Sequence, residues 1–392
     1  MKIFKEVPNF KFMSIRKWGF VVSGLVIIFG IVLFFIKGFN MGLDFTGGTL
    51  LEISFKDNTS VDDVRQAMQK VGMGKSTIQR VASENKFYIR TEQVFESTEE
   101  VGKEIEKNDD AGQQKELIGL VKDALLTAEE KKLNAVKLDL NDASEMRIAA
   151  FLVSKGTETE IAADSAKKII ERITQNPKGL ISDFSEIEKL GLKNQVMRVL
   201  KENAFLGRFA ILGSNSVGPQ VGKDLRGQAT RAAVYALLGM LVYIAFRFKL
   251  IYGVAGILTL FHDVMVVLTF ILFFNIEVNM QVIAAILTLV GYSINDTIVI
   301  FDRIRDNLKI MRGKDAVTLM DTSINQTLSR TVITGGTTLF SLIALMIWGG
   351  EVLYAFAFTL FVGIIIGTYS SIYQSCAWLM VWQKKFLERK KI

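Results

Sequence analysis

Long runs without a charged side chain divide the chain into two kinds of sequence. Trp18–Ile36 is uncharged for 19 residues between Lys17 and Lys37. Leu250–Ile276 continues for 27 residues, interrupted only by His262-Asp263. Val278–Phe301 holds one charge, Asp296, while Thr331–Gly350 and Val352–Gln383 hold none. Ala232–Phe246 is shorter and extends back through Thr230 if Arg231 snorkels to the interface. About 20 apolar residues cross a hydrocarbon core of ~30 Å. The pattern therefore predicts six transmembrane helices, at 18–37, 230–247, 250–274, 279–301, 331–349 and 353–383. The first run is too long for a signal-peptide core and no small-residue cleavage site follows it, so it reads as a retained anchor.

Between the first and second spans, residues 38–229 change to shorter periods. Thr49–Phe55 reads as a strand and Ser60–Val71 as a helix capped by Ser60. Ser76–Ala82 and Lys86–Thr91 alternate around the turn Ser83-Glu84-Asn85 and predict a hairpin. Arg208–Val217 is a further strand. This β-α-β-β…β order points to a ferredoxin-like split sandwich. The stretch 93–203 interrupts it and is mostly helical, with 3.6-residue periodicity at Gln113–Thr127, Ala162–Gln175 and Lys193–Glu202. Its acidic run (Glu99, Glu100, Glu104, Glu106, Asp109, Asp110) is a solvated face rather than a metal site. The expected fold class is thus a polytopic α-helical membrane protein with spans arranged one plus five. An α/β ferredoxin-like extracytoplasmic domain carries a helical insertion.

Charge orients this arrangement. The 392 residues carry a net +7 and a pI near 9.2, which alone would allow a nucleic-acid partner. Residues 38–229, however, hold 27 Lys/Arg against 30 Asp/Glu, and the remainder 20 against 10. All of the excess positive charge therefore flanks the apolar spans. Lys2, Lys5, Lys11, Arg16 and Lys17 precede the first. Arg247 and Lys249 separate the second and third; Arg303, Arg305, Lys309, Arg312, Lys314 and Arg330 separate the fourth and fifth. Lys384, Lys385, Arg389, Lys390 and Lys391 close the chain, and the opposite short loops offer only Glu277 and Glu351. By the positive-inside rule, 1–17, the loop 302–330 and the tail 384–392 are cytoplasmic and 38–229 lies outside. The basic residues read as topology signals that also attract anionic lipid, with no nucleic acid expected.

One cysteine (Cys376) and one histidine (His262) argue against a disulfide scaffold, a zinc centre and a Ser-His-Asp hydrolase. Cys376 reads as a small packing residue. Two glycine motifs flank the outer domain, Gly42-Leu43-Asp44-Phe45-Thr46-Gly47-Gly48-Thr49 and Gly218-Pro219-Gln220-Val221-Gly222. Neither is followed by Lys-Ser/Thr at a helix start, so neither is a P-loop; both read as backbone turns near the membrane. No catalytic constellation, cofactor or metal is expected, and the chain is not read as an enzyme.

Ionisable residues at membrane depth are costly and therefore carry the functional hypothesis. Asp296 lies six residues before Asp302, about 9 Å deeper at 1.5 Å per residue. Arg330 opens the fifth span, and Thr334, Thr337, Thr338 and Ser341 follow on one face. A carboxylate facing a guanidinium across hydroxyl groups suits a proton path, whereas a static Asp–Arg pair would merely hold two helices together. His262-Asp263, in mid-span, fits either a relay or a structural hydrogen bond.

These motifs, with His262-Asp263-Val264 and Gly291-Tyr292-Ser293-Ile294-Asn295-Asp296-Thr297-Ile298-Val299-Ile300-Phe301-Asp302-Arg303-Ile304-Arg305, closely resemble the SecF family of bacterial protein-export membrane proteins. That family is related to resistance-nodulation-division transporters. The resemblance implies a complex with SecD, association with the SecYEG translocon and with YajC and YidC, and use of the proton gradient to draw exported unfolded polypeptide outward. It implies a multi-pass protein of the bacterial inner membrane and a proton path through Asp296 and Arg330, with Thr334 on the same face. The outer domain, at about 190 residues, is larger than is usual in the family. A small-molecule or lipid exporter and a passive translocon scaffold are the alternative readings.

Overall fold

The computed structural model describes residues 7–80, 85–91, 110–248, 250–311 and 313–389. The acidic run 99–109, the turn residues Ser83 and Glu84, and the basic residues Lys2, Lys5, Lys249, Arg312, Lys390 and Lys391 lie outside the described residues. The chain divides into two compact units, Thr46–Lys223 and Met1–Phe45 with Asp224–Ile392.

The Thr46–Lys223 unit is built on a four-stranded antiparallel sheet of β1 (Gly48–Phe55), β2 (Thr77–Arg80), β3 (Lys86–Thr91) and β6 (Phe209–Val217), in the order β2-β3-β1-β6. Alternation decides its buried face. Leu51, Ile53 and Phe55 of β1 and Phe87 and Ile89 of β3 turn inward. Helix α3 (Val61–Lys70) covers them with Val64 and Met68, one turn apart. A capping box starts α3: Asp63 N–H donates to Ser60 Oγ at 3.1 Å and Ser60 N–H to Asp63 Oδ2 at 3.1 Å. The Ser60 hydroxyl, which donates to Asp63 Oδ2 at 2.7 Å, and next the Ser60 N–H hold the Asp63 carboxyl below its ordinary pKa. Helix α4 (Asp110–Leu125) packs against α3 and adds Val121 and Leu125 to this core.

A second core begins only after α4. It gathers β4 (Leu138–Asp139), α6 (Glu145–Ser154), α7 (Thr159–Gln175), α8 (Phe184–Glu188), α9 (Asn194–Asn203) and β5 (Ala204–Phe205), while α5 (Ala128–Asn134) lies before it and packs on β4. Ile148, Leu152, Ala166, Ile169, Val196 and Leu200 form its centre, apart from the sheet core. Strands β4 and β5, invisible in the sequence pattern, pair in parallel where the chain enters and leaves this module. Asn141 binds the junction: its Nδ2 donates to Ile181 O and Gly207 O, and its Oδ1 accepts from Ile181 N–H.

The membrane unit consists of α1 (Arg16–Lys37), a helical turn α2 (Leu43–Thr46), α10 (Pro219–Arg247), α11 (Leu250–Phe273), α12 (Met280–Ile310), α13 (Ala316–Trp348) and α14 (Gly350–Arg389). Among the described residues, five stretches are long and apolar enough to cross a membrane: Phe12–Lys37, Leu250–Phe273, Met280–Ile310, Ala316–Trp348 and Leu353–Val381. The 29-residue α10 is not among them; it carries Lys223, Asp224, Arg226 and Arg231 in its first half and the uncharged run Ala232–Phe246 in its second. Helix α14 packs against α1, α11, α12 and α13. Glycines bring the backbones close: a Cβ at Gly363 would lie 2.8 Å from Leu289, and one at Gly367 would lie 3.2 Å from Ser293.

The segment 302–330, read from sequence as a loop, is largely helical. Helix α12 continues to Ile310, and α13 starts at Ala316, where Asp315 accepts from Thr318 N–H at 3.0 Å. The polar residues that ended the apolar pattern are buried because they have distant partners. Met13 N–H donates to Asp321 Oδ1 at 2.9 Å, and Asn325 bonds both the N–H and the C=O of Phe10. Asn307 Nδ2 donates to Ser323 Oγ and Gln326 Oε1, each at 2.8 Å.

Candidate functional site

The first glycine motif is a docking device. Gly42 N–H donates to Val278 O at 2.7 Å, and Val278 N–H donates to Asn40 O at 2.8 Å. A Cβ at Gly42 would lie 2.8 Å from that same Val278 carbonyl, so the backbone approach demands glycine. Asp44 Oδ2 accepts from Met280 N–H at 2.9 Å, placing a carboxylate at the start of α12. Phe45 is buried, and its carbonyl accepts from Arg226 Nη2 at 2.5 Å. Gly47 and Gly48 then turn the chain with φ of 70° and 111°. Of the second motif, Gly218 accepts from Gly222 N–H at 3.0 Å and Pro219 is the first residue of α10. Gly42→Ala is expected to cost about 1–3 kcal/mol, because a backbone carbonyl cannot move aside as a side chain can. Thermal unfolding in detergent checks this, with Gly24→Ala, whose surroundings are open, as a neutral control.

Asp296 is 2% exposed on α12, and its Oδ2 has no hydrogen-bond partner among the described residues. Arg330, the fifteenth residue of α13, is its charged neighbour without closing an ion pair, and it is exposed in the isolated chain. Thr331 Oγ1 and Thr368 Oγ1 are likewise buried and unpartnered. The hydroxyl stripe of α13 does not reach Asp296 by hydrogen bonding. Thr334 bonds Arg330 O at 2.9 Å, Thr338 bonds Thr334 O at 2.9 Å and Ser341 bonds Thr337 O at 3.2 Å. Helical periodicity identified the face, and the i−4 carbonyls took the hydroxyl protons.

Asp263 is more enclosed still, at 1% exposed. Its Oδ1 lies 2.9 Å from His262 Nδ1, while Oδ2 accepts from Ser293 Oγ of α12 at 2.5 Å and Ser370 Oγ of α14 at 2.8 Å. Sequence reasoning did not pair these serines with Asp263. The available signal was the polar cluster Ser370, Ser371, Gln374 and Ser375 within an apolar span, all buried here. At the other end of α12, Asp302 pairs with Arg247 of α10 at 2.5 Å. Cys376 is fully buried.

The chain matches the family model described as protein export membrane protein SecD/SecF, C-terminal, over residues 196–385, and the SecD/SecF GG motif over 32–59. It is 35% identical over 399 residues to protein translocase subunit SecF of Koribacter versatilis, covering 98% of this chain and 94% of that protein. The chain belongs to the SecF family. Other SecF relatives are those of Desulfurispirillum indicum, 32% identical over 96% of this chain and 93% of that protein, and of Escherichia coli O157:H7, 29% identical over 94% and 86%. Among solved structures it is similar to SecDF, a translocon-associated membrane protein from Thermus thermophilus. The TM-score is 0.64 with 30% identity, covering 97% of this chain. The chain spans only 40% of that solved chain's length. The two SecF family models take in the glycine motifs, His262-Asp263, Asp296 and Arg330. The helical module falls outside those models as far as residue 195, and its last part, most of α9 with β5, falls within the C-terminal one; the near-complete match to the Koribacter relative takes in both parts.

Proposed function

We propose that this chain works with SecD as a proton-driven accessory subunit of the Sec translocase, promoting export of unfolded polypeptide through SecYEG. YajC and YidC are further neighbours in that reading. The observation that carries it is Asp296, a buried carboxylate with an open oxygen inside a helical bundle, beside an arginine that stays charged. Arg330, Thr334, His262 and Asp263 complete the proposed path. Six spans rather than five are supported by the uncharged run Ala232–Phe246 within α10. The alternating basic flanks favour cytoplasmic termini and an outer unit beyond the inner membrane. A ferredoxin-like outer domain is supported by the strand order β2-β3-β1-β6 and by α3 and α4 sharing one core.

SecD is the partner proposed for the small, exposed face of α12 formed by Ala284, Thr288, Gly291 and Asn295 at helical spacing. Lipid is proposed against α1, whose Trp18, Leu25, Ile28 and Phe35 are exposed. The test is reconstitution of the chain with SecD and SecYEG in vesicles carrying an imposed proton gradient. Export is expected to accelerate with the gradient only when the chain is present. Equal rates with and without it would overturn the reading.

A further inference from the structure

The Asp263 site has two unequal ends. The carboxylate is saturated: His262 meets Oδ1, and two serine hydroxyls from two other helices meet Oδ2. His262, by contrast, is 8% exposed and its Nε2 has no partner among the described residues. A buried ring nitrogen left unpaired is costly whether it donates or accepts. A merely structural His–Asp bond would have no need of it. The titratable groups around the ring are few. Asp263 is on its own helix; Tyr369 of α14 has its ring centroid 6.3 Å away; Asp296 lies one turn beyond Ser293 on α12. Ser23 of α1 hydrogen-bonds the Tyr369 hydroxyl at 3.3 Å, and α1 carries its charges, Arg16, Lys17 and Lys37, at its ends.

From this geometry we infer that His262 and Asp263 form a one-proton store that opens at His262 Nε2 and is read out on α12 through Ser293. The inference rests on the proton-driven reading above. The balance is simple. A proton reaching Nε2 converts the ring to imidazolium, and the Nδ1 proton passes to Asp263 Oδ1. The ring is then neutral in its other tautomer, the carboxyl is protonated, and one proton has been taken up. A neutral carboxyl accepts more weakly from Ser293 and Ser370 than a carboxylate does. Loading therefore loosens the tie between α11 and α12 one turn from Asp296. Ser293 and Ser370 are positioning residues, since neither needs to give up its own proton.

Because His262 is the only histidine, ¹⁵N-histidine labelling of the full chain in lipid bilayers yields one ring to follow between pH 5 and 9. The ring signals are expected to titrate in the wild type. In Ser293→Ala and in Ser370→Ala, each lacking one donor that favours the carboxylate, the midpoint is expected to move up by at least about half a pH unit. Gradient-driven export at neutral pH should fall at least about threefold, with its pH profile displaced in the same direction. If Ser293→Ala does not assemble, Ser370→Ala carries the test, as it removes a donor to the same oxygen. Ring signals that stay constant across the range, or midpoints identical to wild type in the serine variants, would overturn the store. An Asp296→Asn variant that keeps its gradient response would instead sink the underlying proton-driven reading, so the two failures are distinguishable.

Discussion

Asp296→Asn is expected to reduce export to the rate seen when the proton gradient is collapsed with an ionophore, while the protein still assembles and unfolds at its usual temperature. The substitution preserves shape and volume, so the packing of α12 against α14 around Ser293 and Gly367 should survive. What it removes is the capacity to load and release a proton. The wild-type Oδ2 has no partner among the described residues, so no hydrogen bond seen in the structure is lost at that atom. A static role predicts a different pair of results. If Asp296 served chiefly as a counter-charge for Arg330, neutralising it would strip a charged neighbour from the guanidinium and weaken the association of α12 with α13. Assembly would then fall along with export. Gradient-dependent export measured beside thermal unfolding separates the two. Undiminished export in the variant would end the assignment of Asp296 to the proton path. Arg330→Met is the companion measurement, expected to have the smaller effect because the side chain is exposed in the isolated chain.

The positions of these charges were legible in the sequence because the cost of charge in lipid makes isolated ionisable residues conspicuous. Their partners were not. Asp263 is joined to Ser293 and Ser370, 30 and 107 residues further along the chain, on helices whose rotation no periodicity fixes. The sheet was readable to within a residue or two at β1, β3 and β6, since alternation and turn residues are local. The start of α13 was hidden for the opposite reason. Asp321, Ser323 and Asn325 look like loop residues until the N-terminal segment and Asn307 bury them with hydrogen bonds. Asp44 shows the same limit at the first glycine motif. Its glycines suggested a turn, but the capping of α12 by its carboxylate spans 236 residues. Local chemistry predicts elements, whereas contacts across the fold decide which polar residues are buried.

The Thr46–Lys223 unit offers the second large effect, at the junction where its helical module joins the sheet. Asp139 is 5% exposed and accepts from the backbone N–H of Asn141 at 3.0 Å and of Gly207 at 2.9 Å. Glycine is required at 207 because a side chain there would collide with the Asp139 carboxyl. Burial pushes the Asp139 pKa up to about 6 against the pull of these two bonds; Asp142 raises it further and Lys122, ion-paired to Asp142, lowers it. The sign follows from linkage. The unfolded chain releases this proton near pH 4, so between there and about pH 6 the folded state holds more protons than the unfolded one. The contribution of Asp139 to stability is therefore fullest below pH 4 and is lost as pH rises through 6, by about 3 kcal/mol at most. Asp139→Asn keeps an oxygen for the two backbone donors and removes the buried charge. It is expected to flatten this dependence and to leave the junction more stable than wild type above pH 6. Hydrogen exchange of the amides at 138–141 and 204–207 in the full chain, followed from pH 4.5 to 7.5 with the intrinsic exchange rate divided out, measures it directly. Faster exchange in the variant at every pH would mean instead that the ionised carboxylate and its two bonds hold the module in place.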